Sequence, residues 1–136
     1  MSWDVSVLML SQNYDSVGDI PEDESAQILG TRTHVQLIIS KHFPATNWGD
    51  PAWGIFDSKD GSIEFNIGNE ETDCSGFMMH VRASERIVPG IIGMCLENNW
   101  QALDCSSGEF LEKAENPTAG LNSWQEYKDQ ILGREV

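Results

Sequence analysis

Two short stretches, SIEFNIG (residues 62 to 68) and GFMMHVRA (residues 76 to 83), carry the side chains with the widest chemical reach: Glu64, Asn66, His80 and Arg82. A β-strand sends successive side chains to opposite faces. Ile63, Phe65 and Ile67 therefore share one face of the first stretch, and Ser62, Glu64 and Asn66 the other. In the second, Phe77, Met79 and Val81 oppose Met78, His80 and Arg82. If the two stretches lie in one sheet with their apolar sides under helices, the four polar residues gather on its open side. There Glu64 would act as general acid or base, Arg82 would clamp an anion and His80 would carry a proton. The competing reading is a cross-strand charge ladder that keeps an exposed sheet face in register.

A second candidate is NWGDPAWG, residues 47 to 54, which sets Trp48 and Trp53 on either side of an Asp50-Pro51 turn. Pro51 fixes one backbone angle and biases Asp50 toward an extended conformation, so the loop is stiff. Indoles presented on a stiff loop suit an interface hot spot, but each also buries a large area when folded against a helix. Trp53, at the start of the next strand, is expected to be structural and Trp48 to stay partly exposed. The candidate binding set is thus Trp48, Asp50, Trp53, Glu64, Asn66, His80 and Arg82. Were the protein an enzyme, Glu64, His80 and Arg82 would be its catalytic candidates.

The elements that must position these residues follow from hydrophobic periodicity. WDVSVLML reads as a first strand, and residues 11 to 28 as a long acidic surface loop. A helix starts at Gly30-Thr31, carries Val35, Ile38 and Ile39 on one face, and stops at Pro44. Residues 53 to 57 and 62 to 67 form strands joined by an Asp60-Gly61 turn, which would set Phe56 opposite Phe65 and Asp57 opposite Glu64. GFMMHVRA is a fourth strand. It feeds a helix that tolerates Pro89 only in its first turn. QALDC gives a fifth strand and EFLE a short returning one, and Ser123 with Glu126 forms a capping box for a final helix through Leu132. The expected fold is a single α+β domain over residues 1 to 136. It is a two-layer sandwich of a mainly antiparallel sheet with helices on one face, possibly ferredoxin-like with an extra hairpin.

Composition narrows the function classes. Twenty-two acidic residues against eight basic ones leave a net charge of −14. Phosphate backbones and anionic membranes both demand clustered Lys and Arg, so neither nucleic acid nor a membrane surface is an expected partner, whereas a basic protein is. No apolar run reaches the roughly 18 residues of a membrane span, and no cleavable leader is visible, which points to the cytoplasm. Cys74, Cys95 and Cys105 are odd in number and have no C-x-x-C spacing, so neither a disulfide framework nor a zinc knuckle is expected. Cys105, ending an apolar strand, reads as a buried structural thiol. His34 and His42 lack the spacing of an adjacent-turn metal pair, DSKDG only superficially suggests a calcium loop, and no hydrolase or nucleotide-binding signature is present. No metal or cofactor is expected. The oligomeric state, monomer or homodimer, stays open.

DIPEDESAQILGTRTHVQLIISKHFP, NWGDPAWG, GSIEFNIG, GFMMHVRA and WQALDCSSGEFLE, in that order, resemble an uncharacterised family of small acidic bacterial proteins. The resemblance covers residues 19 to 112. It implies a bacterial, cytoplasmic α+β protein and assigns no catalytic residue. More loosely, the W, IEFN, HVR and ALD-x-S-x-G-x-F arrangement is similar to immunity proteins of polymorphic toxin systems, which implies a protein partner. The leading expectation is a non-enzymatic protein-binding module, such as a toxin-neutralising inhibitor. The alternatives are a small hydrolase or ligand-binding protein using Glu64, His80 and Arg82, and a structural subunit of a homo-oligomer.

Overall fold

The computed structural model describes residues 1 to 133, with the strands paired into one sheet and three helices laid on it. In chain order the elements are β1 (Trp3–Leu8), α1 (Arg32–His42), β2 (Asn47–Asp50), β3 (Trp53–Ser58), β4 (Gly61–Asn66), β5 (Gly76–Ala83), α2 (Val88–Glu97), β6 (Gln101–Asp104) and α3 (Ala119–Gly133). The sheet runs β2-β3-β4-β5-β1-β6, and every neighbouring pair is antiparallel. Its β4-β5-β1-β6 portion, with α1 between β1 and β4 and α2 between β5 and β6, has the strand order of a split βαβ sandwich. The β2-β3 hairpin extends that sheet beyond β4.

Alternation decides which face the helices cover. Val5 stands between Met79 and Asp104, and Val7 between Phe77 and Ala102. Ile63 and Phe65 continue the same face and pack with Val35 and Ile39 of α1, Ile91 and Met94 of α2, and Leu121 of α3. Each fully buried large aliphatic side chain in this layer stabilises the fold by about 1.5 to 3 kcal/mol relative to exposure. Thr31 caps α1 by accepting from the His34 backbone N–H at 3.1 Å. Pro89 falls in the first turn of α2, where its missing N–H is harmless.

Several expectations are corrected. The turn between β3 and β4 is Lys59-Asp60, so Phe56 faces Ile63 and Asp57 faces Ser62. Gly61 is not in the turn: it opens β4 at φ 125°, where an added Cβ would lie 2.3 Å from the Arg82 carbonyl oxygen. Because the register differs by two residues, no side chain changes face. Asn47–Asp50 pairs as an edge strand instead of forming only a turn. EFLE makes one bridge, Leu103 with Phe110, instead of a strand. The final helix begins at Ala119, four residues before Ser123, since the Thr118 carbonyl already accepts the Asn122 N–H at 2.9 Å.

The acidic loop between β1 and α1 is anchored to the side of the sheet that carries no helix. Leu10, Tyr14 and Phe110 form a second small core there, with Leu8, Ile20 and Leu103 against it. The buried Gln101 amide holds the loop in place, donating to the Tyr14 carbonyl at 2.9 Å and accepting from the Tyr14 N–H at 3.2 Å. It also donates to Glu112, whose other carboxylate oxygen accepts the Ala102 N–H. Replacing Gln101 by Leu strands buried backbone groups of Tyr14, so a loss of about 1 to 3 kcal/mol is expected in urea unfolding. Hydrogen exchange should rise selectively in residues 10 to 24; a variant as stable and as protected as the parent would show that the amide does not anchor the loop.

Candidate functional site

β4 and β5 bring the polar residues together as the alternation requires. Glu64 stands directly opposite His80, and Arg82 opposite Ser62, on the face away from the helices. Arg82 Nη1 donates to Glu64 Oε2 at 3.2 Å, and its Nε donates to the Met1 carbonyl at 2.8 Å. Both side chains are substantially exposed, so this pair contributes no more than about 1 kcal/mol.

The sequence reading missed Asp4. It pairs with His80 across β1 and β5, and its Oδ1 lies 2.9 Å from His80 Nδ1. The alternation of WDVSVL put Asp4 on the polar face, but only the β1-β5 register reveals its partner. Partial burial opposes charge on Asp4. Hydrogen bonds from Ser2 and His80 and the nearby positive charges of His80 and Arg82 outweigh that, holding the carboxyl below its usual value.

Trp53 reaches across β4 to the other side of His80, their rings stacked at 5.7 Å with 20° between planes. It therefore belongs to the polar face. Trp48 has the opposite fate: its indole lies over Gly54 and beside Phe65 on the helix-covered face, and its Nε1 donates to Ser40 Oγ at 3.0 Å. Trp48 thus stays partly exposed as expected, although its indole lies on the helix-covered face, while Trp53 is equally half-buried and stands on the polar face. An added Cβ on Gly54 would lie 2.6 Å from the Trp48 ring, so only glycine leaves room for that indole. Asp50 makes the turn by accepting the Ala52 N–H at 3.0 Å, and Gln36 ties the turn to α1 through the Pro51 carbonyl. Asn66 is exposed opposite Trp53 and Met78.

The open face therefore presents Trp53 stacked on His80, exposed Ile55 and the Asp4–His80 and Glu64–Arg82 pairs. Among the described residues, Glu64, His80 and Arg82 line none of the three best-formed clefts. Among the described residues, no three His, Cys, Asp or Glu side chains converge as metal ligands, and no helix is long and apolar enough to cross a membrane. No family model, curated protein or solved structure matches the chain.

Cys105 corrects another expectation. It is exposed just beyond β6, because the chain leaves the sheet into the turn that Asp104 builds by accepting from Ser106. Local burial of the sulfur and the negative charges of Asp4 and Asp104 push its thiol above the usual cysteine range. It is poorly suited to nucleophilic chemistry. Cys105 is expected to react with iodoacetamide near neutral pH more slowly than an unstructured cysteine peptide, and unfolding in urea should abolish the difference.

Asp4 gives a test with a definite sign. A carboxyl whose folded pKa lies below its unfolded value of 3.8 contributes stability that is present above that value and lost as pH falls through the folded one. Asp4→Asn removes this contribution. The stability gap between parent and variant should be open at about pH 6 and close toward about pH 3. Urea midpoints across that range decide it, and a gap independent of pH would refute the assignment.

Proposed function

We propose that this protein is a non-enzymatic binding module that docks a basic protein partner on the open sheet face over β3, β4 and β5. The observation that carries the reading is the contrast along that face. Toward β6 it is sealed by the 10 to 24 loop and Phe110, whereas over β3 to β5 Trp53, Ile55 and the ionic pairs remain at the surface. A half-buried aromatic anchor beside an exposed aliphatic side chain, rimmed by charged pairs, has the makeup of an interface centre. The net charge of −14 would accelerate encounter with a cationic partner. Toxin neutralisation in a bacterial cytoplasm, as the loose similarity to immunity proteins suggests, is the specific form of this proposal.

A hydrolase or ligand-binding protein built on Glu64, His80 and Arg82 has less support. Each of the three is already engaged by a protein group or stacked on a ring, and the best-formed clefts lie elsewhere. Catalysis needs a reactive geometry shielded from water, and an uncovered ladder does not supply it. Self-association as a structural subunit is a further alternative, which solution mass would reveal.

Capture from an extract of the source organism with parent and Trp53→Ala, Ile55→Asp baits tests the proposal over a salt series. The parent is expected to retain a basic protein whose association slows as salt rises. The double variant, folded by circular dichroism, should lose at least about tenfold in affinity. Retention unaffected by both substitutions would refute the docking face.

A further inference from the structure

α2 has a second apolar face. Ile91, Met94 and Cys95 pack into the core, while Pro89, Ile92, Gly93 and Leu96, spaced i, i+3, i+4 and i+7, share the outer side. Glu97 is the single charged residue among its ten. A surface helix ordinarily carries charge on its outer side, so one that is apolar on both sides is suited to being covered twice. Leu96 is 58% exposed, and with Pro89, Ile92, Gly93, Pro117 and Thr118 it lines a groove of about 690 Å³.

Gly93 is an independent observation. Glycine inside a helix weakens it relative to alanine. Gly93 has ordinary helical backbone, and a Cβ added there would meet no atom within 4 Å among the described residues. The chain's own packing therefore gives no reason for glycine at this point. Close approach of a second backbone does, because a missing Cβ lets two main chains come together.

The charges around the groove select what covers it. Glu85 and Arg86 stand at the N-terminal end of α2, and at its C-terminal end Glu97 is paired with Lys41 and His42. This rim carries both signs in a chain whose net charge is −14, so it offers a cationic partner little. It complements itself instead. Arg86 and Glu97 lie about three helical turns apart and so share one flank of the helix. Arg86 is 75% exposed, and its contact with Asp60, at 4.0 Å, is loose. An antiparallel α2 from a second copy, with the two-fold axis between Ile92 and Gly93, sets each Leu96 against Pro89 of the other copy. It also brings each Arg86 to within about 3 Å, along the helix axis, of the other copy's Glu97.

We infer that this groove is the contact between two copies of the chain, whose α2 helices cross antiparallel at Gly93 with Leu96 of each copy seated in the groove of the other. The contact lies on the helix layer, on the other side of the sheet from Trp53 and Ile55. Each copy therefore keeps its open face for the partner proposed above, and the dimer does not depend on that partner.

Sedimentation equilibrium of the whole chain tests this. The mass is expected to rise with concentration from 15.2 kDa toward twice that value. It should rise more readily at higher salt, since screening relieves the repulsion between two copies of net charge −14. Leu96→Asp, at an exposed position, should weaken association at least about tenfold. Gly93→Ala should weaken it too, while raising the urea midpoint of the dilute, monomeric chain. Arg86→Glu and Glu97→Lys should each weaken association, because each homodimer then holds two like-charged pairs. Mixed together they form a heterodimer in which both pairs are of opposite charge, so the mixture should regain mass that neither variant reaches alone.

A mass fixed at 15.2 kDa up to millimolar chain would overturn the dimer and leave the groove to a different polypeptide. Association that survives Leu96→Asp or Gly93→Ala, or that gains nothing on mixing the two charge variants, would overturn the antiparallel α2 contact. A dimer lost instead in Trp53→Ala, Ile55→Asp would place self-association on the open sheet face and overturn it as well. A chain that stays monomeric would leave the capture experiment on that face untouched. Conversely, a failed capture would not alter the mass readout.

Discussion

The antiparallel pairing of Trp3–Leu8 with Gly76–Ala83 sets the parity on which every other placement depends. It puts Trp3 with Val81, Val5 with Met79 and Val7 with Phe77 under the helices, and Asp4 with His80 on the other side. A slip of β1 by one residue would turn Asp4, Ser6 and Leu8 toward the helices and Trp3, Val5 and Val7 away from them, burying a charge in the apolar layer and stripping the helices of support. Burying unpaired charges costs several kcal/mol per group, far more than the modest stability of a domain this size can absorb. The polar face is thus a consequence of the core, and the register of β1 against β5 is specified from both sides at once.

That parity also explains why the sheet has two cores. A strand covered on one face leaves its alternate residues to water, which suits Asp4 and Ser6 but not Leu8 and Leu103. The long acidic loop answers this at the β6 end by folding Leu10, Tyr14 and Ile20 over them. Its own polar backbone then needs partners away from water. Gln101 meets the need as a strand would, with one donor and one acceptor to the same residue. Over β3 to β5 nothing comparable covers the face among the described residues, and there the chain leaves Ile55 exposed and Trp53 half-buried.

Much of this was legible from residue order. Alternation in SIEFNIG and GFMMHVRA placed Glu64 and Arg82 on one side, and their ion pair needs in addition only that the two strands be neighbours. The β3-β4 turn was read two residues out of register, yet the face assignments survived because the period is two. Where residue order left a placement undecided or misjudged it, the deciding contact is remote in sequence. Trp48 turns inward because Gly54 gives its indole a bed and Ser40 of α1 gives its N–H an acceptor. Trp53 turns outward because His80 offers it a ring. Cys105 is exposed since Asp104 spends its carboxylate on building a turn, and Asp4 gains its role only from a strand more than seventy residues away.

The balance between chemistry and recognition on the open face turns on how its charges are held. A general base must keep a lone pair available and a general acid must have a proton to give, in a place where water does not compete. Here Asp4 is committed to Ser2 and His80, Glu64 to Arg82, and one face of the imidazole to Trp53. Such mutual engagement lowers the reactivity of each group while fixing its direction. Fixed directions are what a docking surface needs, because a partner then loses little additional side-chain entropy on binding. The same pairs that make Glu64, His80 and Arg82 poor catalysts therefore make them a preorganised rim around Trp53 and Ile55.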